Sequence, residues 1–295
     1  QCIDGKGNKL IGRAARARSI ELAVYTQHQI QKKKLREPQI LEYEKTFDPF
    51  ILLSKKRYVG NLYEMNPDKY KRKSMGIVLK RRDNAPIVKV IYGGIIDIIM
   101  SQKKINPSIT YLRKNLRNLA NGKFDMETLI VTKTLSSYYK DPDRIAHKVL
   151  ADRIGERDPG NKPGVNERIP YIYIDMGNKK VTLQGDRIEN PDYIREHNLK
   201  PDYEFYITNQ IMKPVSQIFA LCLKDLPGFT KNIKEFDNKY DVYIKKGKSV
   251  NDSIKYMLEC KRKEAAKILF GDILRVLENK RSRNNEITQY FKVKK

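Results

Sequence analysis

The sequence predicts an α+β fold, in which a small antiparallel sheet with a packed helix precedes a mainly helical region. Three observations support this class. Apolar and polar residues alternate over residues 40–47, apolar residues recur at helical spacing from about residue 86 onward, and hydrophobic residues make up 40% of the chain. That hydrophobic content suffices for a buried core, so the chain is not a disordered one.

The first part of the chain shows a helix and then strands. Residues 13–35 carry apolar residues on one face and basic residues opposite, which predicts a helix. Residues 40–47 alternate with period two, and Asp48-Pro49 predicts a turn into a second strand that starts at Phe50. After the break at Asn66-Pro67-Asp68, we expect a third strand from Met75 to Arg82.

The rest of the chain is dominated by helical periodicity. Apolar spacing predicts a helix where Asp141-Pro142-Asp143 supplies acids at the start, and a long helix that Pro214 should kink. The predicted helices are 87–100, 107–119, 141–157, 203–223 and 254–279, with a strand at 169–175 and a tail from about residue 281.

Charge separates this chain from most soluble proteins. The 60 Lys and Arg residues outnumber the 35 Asp and Glu residues and give a net charge of +25, which favours a polyanionic partner. The longest apolar run, Ile87–Met100, contains charged residues and is shorter than the ~20 residues that span a bilayer, so we expect no membrane association. Three widely separated cysteines fit neither a metal site nor a disulfide framework and favour a reducing, intracellular compartment.

A cationic triplet lies within an apolar frame. Lys55-Lys56-Arg57 follows the apolar run Phe50–Leu53 and is closed at once by Tyr58 and Val59, which predicts that the charges lie on a strand. Charges on a sheet have fixed spacing and direction, as the recognition of a regular polyanion requires. The alternative is that the triplet merely protects an exposed sheet edge with charge.

Several short segments, in the same order along the chain, resemble family B DNA polymerases in their delta-like branch. Residues 44–47 (EKTF) with 55–60 (KKRYVG), and 75–78 (MGIV) with 81–86 (RRDNAP), are similar to the end of the palm domain of that family. Similarity to its thumb domain is found in five further segments, which are IVTK at 130–133, RDPG at 157–160, RIPY at 168–171, NPDY at 190–193 and the helix through Lys213-Pro214. The resemblance extends over about residues 13–230.

The resemblance implies a domain organisation and an activity. Residues 1–85 would be the C-terminal part of the palm, 86–280 the thumb, and 281–295 a flexible tail. The full-length enzyme would be a replicative DNA-directed DNA polymerase that uses deoxynucleoside triphosphates and Mg²⁺. The Tyr-Gly-Asp-Thr-Asp segment that holds the metal ions in this family does not occur in the chain. We therefore expect an N-terminally incomplete chain with no catalytic or metal-binding residue of its own, inactive alone.

The resemblance also assigns residues to primer–template duplex. Lys55 and Lys56 would contact the minor groove or phosphates and Tyr58 the primer strand, while Arg57 would alternate to the other face, where pairing with a carboxylate is its alternative. For the cations at 80–82 the alternative is ion pairing with Asp83 or Glu44. The complete set of predicted DNA-binding residues is Lys55, Lys56, Arg57, Tyr58, Lys80, Arg81, Arg82, Arg157, Lys162 and Arg168.

The C-terminal tail resembles a sliding-clamp-binding box. Asn284 occupies the place of the usual Gln, and Ile287, Tyr290 and Phe291 would form an apolar plug. The sequence lacks the cysteine-rich metal modules of cellular delta-type enzymes, which favours a polymerase of a large DNA virus. The site of action would be the nucleus or a cytoplasmic viral replication site.

Two other interpretations remain open on the sequence. The chain could be a non-catalytic nucleic-acid-binding module derived from a polymerase thumb. It could also be a basic structural protein that binds RNA, although that reading explains only the charge and not the ordered series of motifs.

Overall fold

The structure is a computed structural model that describes residues 2–80, 82–177 and 183–281. These residues contain helices and two antiparallel three-stranded sheets, joined by loops. The predicted α+β class is confirmed. The chain divides into a first unit, Gln1–Lys80, and a second unit, Arg81–Lys295. The assignment of palm to 1–85, thumb to 86–280 and tail to 281–295 stays a prediction.

The first unit consists of one helix and one sheet. The strands are antiparallel and follow one another in the order β1-β2-β3. The helix begins within one residue of its predicted start, which confirms that prediction. The elements are α1 (Gly12–Lys34), β1 (Thr46–Ser54), β2 (Arg57–Tyr63) and β3 (Tyr70–Met75).

Helix α1 is fastened to the sheet region mainly through Arg16. Its guanidinium lies 3.0 Å from an Asp48 carboxylate oxygen and 4.6 Å from the ring centroid of Tyr63. Because only 17% of this side chain is exposed, the ion pair and the ring contact are both partly shielded from water. Ile20 is the buried apolar residue of α1.

The predicted strand at 40–47 is wrong for residues 40–45, which form no ladder. The backbone N–H groups of Leu41 and Tyr43 instead donate to the side-chain oxygens of Gln31 and Gln27, at 2.9 and 2.6 Å. Glutamines one turn apart on α1 therefore hold alternate residues of an extended segment. Alternation of apolar and polar residues indicates an extended backbone. The segment becomes a strand only where a neighbouring strand forms hydrogen bonds with it.

The predicted turn at Asp48-Pro49 is also wrong, since β1 continues through these residues. The pairing with β2 shifts in register between Phe47 and Phe50. Proline has no N–H to donate to a ladder and is tolerated on edge strands such as β1, so it produces an irregularity and not a chain reversal.

The third strand lies N-terminal to its predicted position at Met75–Arg82. Strand β3 ends at Met75, Gly76 follows with φ +61°, and Val78–Lys80 forms a 3₁₀ turn. Five of the six β3 residues are exposed and the sixth is a serine, so the strand has no apolar alternation to signal it. Its backbone pairing with β2, and not its side chains, defines it.

The second unit is mainly helical, with a small sheet of order β4-β5-β6. Predicted helices at 87–100, 107–119 and 254–279 and the strand at 169–175 are confirmed with shifted ends, whereas α8 had not been predicted. The elements are α2 (Pro86–Gln102), α3 (Asn106–Ala120), β4 (Val131–Thr134), α4 (Ala146–Arg157), β5 (Arg168–Tyr173), β6 (Ile188–Glu189), α5 (Pro191–Glu196), α6 (Tyr203–Phe205), α7 (Met212–Phe219), α8 (Lys234–Lys245) and α9 (Val250–Arg281).

A buried tyrosine lies at the centre of this unit. The hydroxyl of Tyr206 donates to the Leu129 carbonyl at 2.7 Å and accepts from the Tyr173 N–H at 3.1 Å. Burial raises the pKa of Tyr206, so the hydroxyl stays protonated and keeps both bonds. In the same unit, α2, α3 and α9 bury apolar side chains, among them Ile91, Ile95, Leu112, Leu116 and Phe270.

Two predicted helix details require correction. The helix expected at Asp141 begins at Ala146 instead, and the preceding Pro142–Arg144 is a 3₁₀ turn. The stretch predicted at 203–223 is helical, but Tyr206–Ile211 winds as a π-helix in which the Met212 N–H donates to the Ile207 carbonyl. Proline cannot donate an N–H to the residue four positions before it, so the wider winding just ahead of Pro214 is the local response to that residue.

Candidate nucleic-acid interface

Lys55 and Lys56 form the two-residue turn between β1 and β2, where Ser54 pairs with Arg57. The prediction that these lysines lie within a strand is therefore wrong. Both are exposed, and Lys56 has φ +61°. Tight hairpin turns require positive φ, which glycine and asparagine usually supply. Their absence hid the turn from the sequence analysis.

The end of β3 packs against this turn. A side chain on Gly76 would place its Cβ 2.3 Å from the Lys56 carbonyl oxygen, so glycine permits the close approach. The Arg57 Nε donates to the Gly76 carbonyl at 3.2 Å. Both contacts join the turn to the residue that follows β3, so the two ammonium groups extend from a fixed base.

Tyr58 belongs to an aromatic cluster with Phe47 and Phe50. Its ring centroid lies 5.8 Å from that of Phe47 and 5.5 Å from that of Phe50. Gly60 pairs with Phe50, and a Cβ there would lie 2.7 Å from the Phe47 ring, so the absent side chain makes room for the cluster. Tyr58 is half-buried, which leaves part of the ring available to a ligand.

Strand β3 carries cations that the sequence analysis had not assigned. Lys71, Arg72 and Lys73 occupy consecutive exposed positions, and the Arg72 Nε donates to the Asn61 side-chain oxygen at 3.1 Å. The signal was present as the run KYKRK at 69–73. The strand predicted at Met75–Arg82 begins after this run, so the run falls outside every predicted strand.

The predicted cations at 80–82 are only partly described. Lys80 ends the 3₁₀ turn, Arg82 is exposed, and Arg81 lies outside the described residues. The acids that were the alternative partners have contacts of their own. Asp83 lies 3.3 Å from the Lys133 ammonium, and Glu44 pairs with Lys45.

Arg157, a predicted DNA contact in the second unit, is engaged within the fold. Its guanidinium lies 3.0 Å from Glu189 Oε2 and 3.7 Å from the ring centroid of Tyr193. Arg153 approaches the same carboxylate at 3.2 Å. Because Glu189 is only 3% exposed, its charge requires these cations, and this gives Arg157 a structural task.

Lys162 and Arg168 also have partners but remain more accessible. Lys162 lies 3.4 Å from Asp152 with 57% of its side chain exposed, and Arg168 donates to the Thr132 hydroxyl at 2.6 Å. Burial would raise the pKa of Asp152, but hydrogen bonds and ion pairs with Lys148 and Lys162 outweigh it and lower that pKa. Asp152 therefore stays ionised and orients both lysines.

The described residues contain no group of three or more His, Cys, Asp or Glu side chains that could hold a metal ion. His147 contacts the Tyr139 hydroxyl at 3.0 Å, and His197 stacks on Tyr193 at 3.8 Å. No residue described here is therefore assigned to magnesium. Within the same part of the chain, no helix is both long and apolar enough to cross a membrane. The predicted clamp-box residues Asn284, Ile287, Tyr290 and Phe291 lie outside the described residues.

Comparison with known proteins identifies the class. The model of DNA polymerase family B matches residues 11–222, and the chain belongs to this family. The structure of the family B DNA polymerase from the hyperthermophilic archaeon Pyrobaculum calidifontis superposes with a TM-score of 0.51 at 20% identity, over 71% of this chain and 25% of that one. This likeness concerns the fold.

Among the relatives in sequence are two viral proteins named DNA polymerase. That of Pyramimonas orientalis virus is 50% identical over 96% of this chain and 24% of its own length, and that of Acanthamoeba polyphaga mimivirus is 55% identical over 69% of this chain and 12% of its own. The DNA polymerase delta catalytic subunit of Oryza sativa is 35% identical over 64% and 17%. The chain thus spans a quarter or less of the length of these relatives.

Proposed function

We propose that this chain is the C-terminal palm and thumb portion of a replicative DNA-directed DNA polymerase, and that it holds primer–template duplex during nucleotide addition. One observation carries the proposal: in a chain of this family, two exposed lysines extend from a hairpin turn braced by the rest of its sheet. Fixed cations suit a partner with regularly spaced charge.

Contact at this turn would not select a base sequence. Minor-groove acceptors occupy nearly equivalent positions in A·T and G·C pairs, and phosphates are the same throughout. Lysine ammonium groups at the turn, with the Tyr58 ring behind them, therefore hold duplex by its geometry and charge. A polymerase must translocate along any sequence, and this mode of binding permits it.

The chemical step belongs to the longer protein. We propose deoxynucleoside triphosphates as its substrates and Mg²⁺ as its cofactor, with ligands outside this chain. Metal ions in such reactions stabilise the attacking and leaving oxygens. The 295-residue chain alone should bind duplex without turning over nucleotide. The named viral and delta-subunit relatives support this assignment and an intracellular replication site, whether nuclear or cytoplasmic.

The test measures binding of the 295-residue chain to a primed DNA by fluorescence anisotropy at several salt concentrations. The variant combines Lys55→Ala with Lys56→Gly, because glycine keeps the left-handed turn while removing the charge. Loss of two phosphate contacts should weaken binding by roughly tenfold or more at low salt and make the salt dependence shallower. The control, Lys32→Ala with Lys33→Ala, removes the same charge from exposed residues of α1.

Equal affinity and equal salt dependence of the variant and the unmodified chain would contradict the proposal. Comparing the affinity for primed DNA with that for A-form RNA of the same length distinguishes the polymerase proposal from the RNA-binding interpretation. We expect DNA to bind more tightly, and a preference for RNA would exclude the polymerase role of this surface.

We also propose that the tail binds a sliding clamp through Asn284, Ile287, Tyr290 and Phe291. The resemblance of this segment to a clamp-binding box is its support. A pull-down with purified clamp should recover the unmodified chain and much less of a Tyr290→Ala, Phe291→Ala variant. Equal recovery of both would remove the clamp from the list of partners.

A further inference from the structure

The pairing of β2 with β3 determines which cations share a face of the sheet. Gly60 pairs with Lys73 and Leu62 with Lys71, while Tyr58 pairs with Met75. Paired residues of antiparallel strands lie on the same face, and so do alternate residues of one strand. Lys71 and Lys73 therefore lie on the face that carries Tyr58, which we call the outer face.

The opposite face is buried along β2. Val59, Asn61 and Tyr63 alternate with the residues of the outer face and are exposed by only 1%, 6% and 5%. Arg72 faces that side and donates to Asn61. Arg72 is thus fastened to the buried side, whereas Lys71 and Lys73 are left on the open one.

The outer face combines apolar area with charge. Phe50, Leu52 and Met75 are exposed by 44%, 53% and 46%, next to the aromatic cluster of Phe47, Phe50 and Tyr58. The Lys71 ammonium lies 3.8 Å from the Glu64 carboxylate, and both side chains are largely exposed. Such an exposed pair is weak and exchanges readily for a phosphate.

The cations follow one line from the hairpin turn. Gly76 contacts Lys56 at the turn, and Met75, Lys73 and Lys71 follow it along β3. Alternate residues of a strand are about 6.8 Å apart, so the line from Met75 to Lys71 spans about 14 Å. This length equals the rise of about four base pairs, at 3.4 Å for each charge of one DNA strand.

We propose that Lys71 and Lys73 bind backbone phosphates of the same duplex that the turn holds, over about four base pairs beyond it. The aromatic cluster would pack against the sugars between those phosphates. The inference rests on the proposed function and extends its contact surface from the turn to the β3 strand. Protection of a sheet edge by lysine explains charge on β3 but not its alignment with the aromatic face.

The experiment compares salt dependence of duplex binding for Lys71→Ala with Lys73→Ala, for the Lys55→Ala with Lys56→Gly variant, and for the Lys32→Ala with Lys33→Ala control. Two phosphate contacts account for about a tenfold change in affinity between 50 and 200 mM salt. Between 50 and 200 mM salt, the affinity of the unmodified chain should therefore fall by a factor about ten times larger than that of the β3 variant. Circular dichroism and thermal unfolding verify that each variant folds.

A shortened duplex locates the contact. We expect the difference between the β3 variant and the unmodified chain to disappear once about four base pairs are removed from the end that lies over β3. A β3 variant that behaves like the α1 control, while the turn variant loses affinity, would overturn the inference and leave the proposed function intact. If neither variant differs from the α1 control, the proposed function itself fails.

Discussion

Lys56 has a strained backbone conformation at a position where its side chain is exposed for binding. Its φ of +61° is unfavourable for a side chain with a Cβ, typically by about 1–3 kcal/mol, and glycine would relieve it. The lysine at this position extends a charge from the outermost point of a hairpin. Residues in such conformations are concentrated at binding and catalytic sites, which agrees with the role proposed for the turn.

Glu189 is a buried carboxylate that two arginines of the second unit share. We expect Glu189→Ala to lower the free energy of unfolding by about 2–3 kcal/mol, because Arg153 and Arg157 would lose their shared, buried carboxylate. Urea denaturation measures the change. Asp272→Ala removes an acid that is 84% exposed and should change stability by no more than about 0.5 kcal/mol. Equal effects of the two substitutions would refute the structural task of Glu189.

His147 should make stability depend on pH. Burial and, as the second cause, the positive charge of Lys133 lower the pKa of this imidazole below its usual value near 6.5. The unfolded chain then binds the proton more readily, so the contribution of neutral His147 is complete above about pH 6.5 and is lost as the pH falls through the folded-state pKa. Urea denaturation at several pH values between 5 and 7.5 measures this effect. The free energy of unfolding of His147→Gln should fall less steeply with decreasing pH than that of the unmodified chain. The same substitution at exposed His28 is the control.

Among the elements, helices α1, α2 and α3 lie close to their predicted positions, whereas the strands of the first unit do not. Helix α3 begins at Asn106, within a residue of its predicted start, because apolar residues at helical spacing make up most of its buried face. Strand β3 has no such pattern and exists through its ladder with β2. The segment 40–45 is the reverse case, with the pattern of a strand but side-chain bonds from α1 in place of a ladder.

The hairpin and β3 should be energetically linked through Gly76. Gly76→Ala combines a left-handed conformation with a contact of 2.3 Å to the Lys56 carbonyl, and we expect a loss of about 2–3 kcal/mol in unfolding free energy. Chemical denaturation detects this loss, and limited proteolysis shows whether the first unit opens. Gly5→Ala, where nothing lies within 4 Å, should have little effect. A fully stable Gly76→Ala variant would show that the turn moves independently of β3.

For the molecule as a whole, composition predicts the kind of partner and the order of the motifs predicts the family. A net charge of +25 pointed to a polyanion, and the ordered motifs pointed to the family that the comparison then established. The division into units falls between Lys80 and Arg81, close to the charged run that the sequence analysis had treated as the end of a strand. Of the predicted cations, Lys55, Lys56 and Arg57 lie together at the hairpin turn, whereas Arg157 is committed to an acid in its own unit.

The sequence by itself determined the α+β class, the polymerase family and the main helices, because each is encoded in local spacing or residue order. The tertiary structure decided that Lys55 and Lys56 form a turn, that Lys71 and Lys73 share its outer face, and that Arg157 holds Glu189. These outcomes depend on contacts between residues well separated in the chain, such as Gly76 with Lys56 and Glu189 with Arg157. Local periodicity contains no information about which distant residue will be the partner.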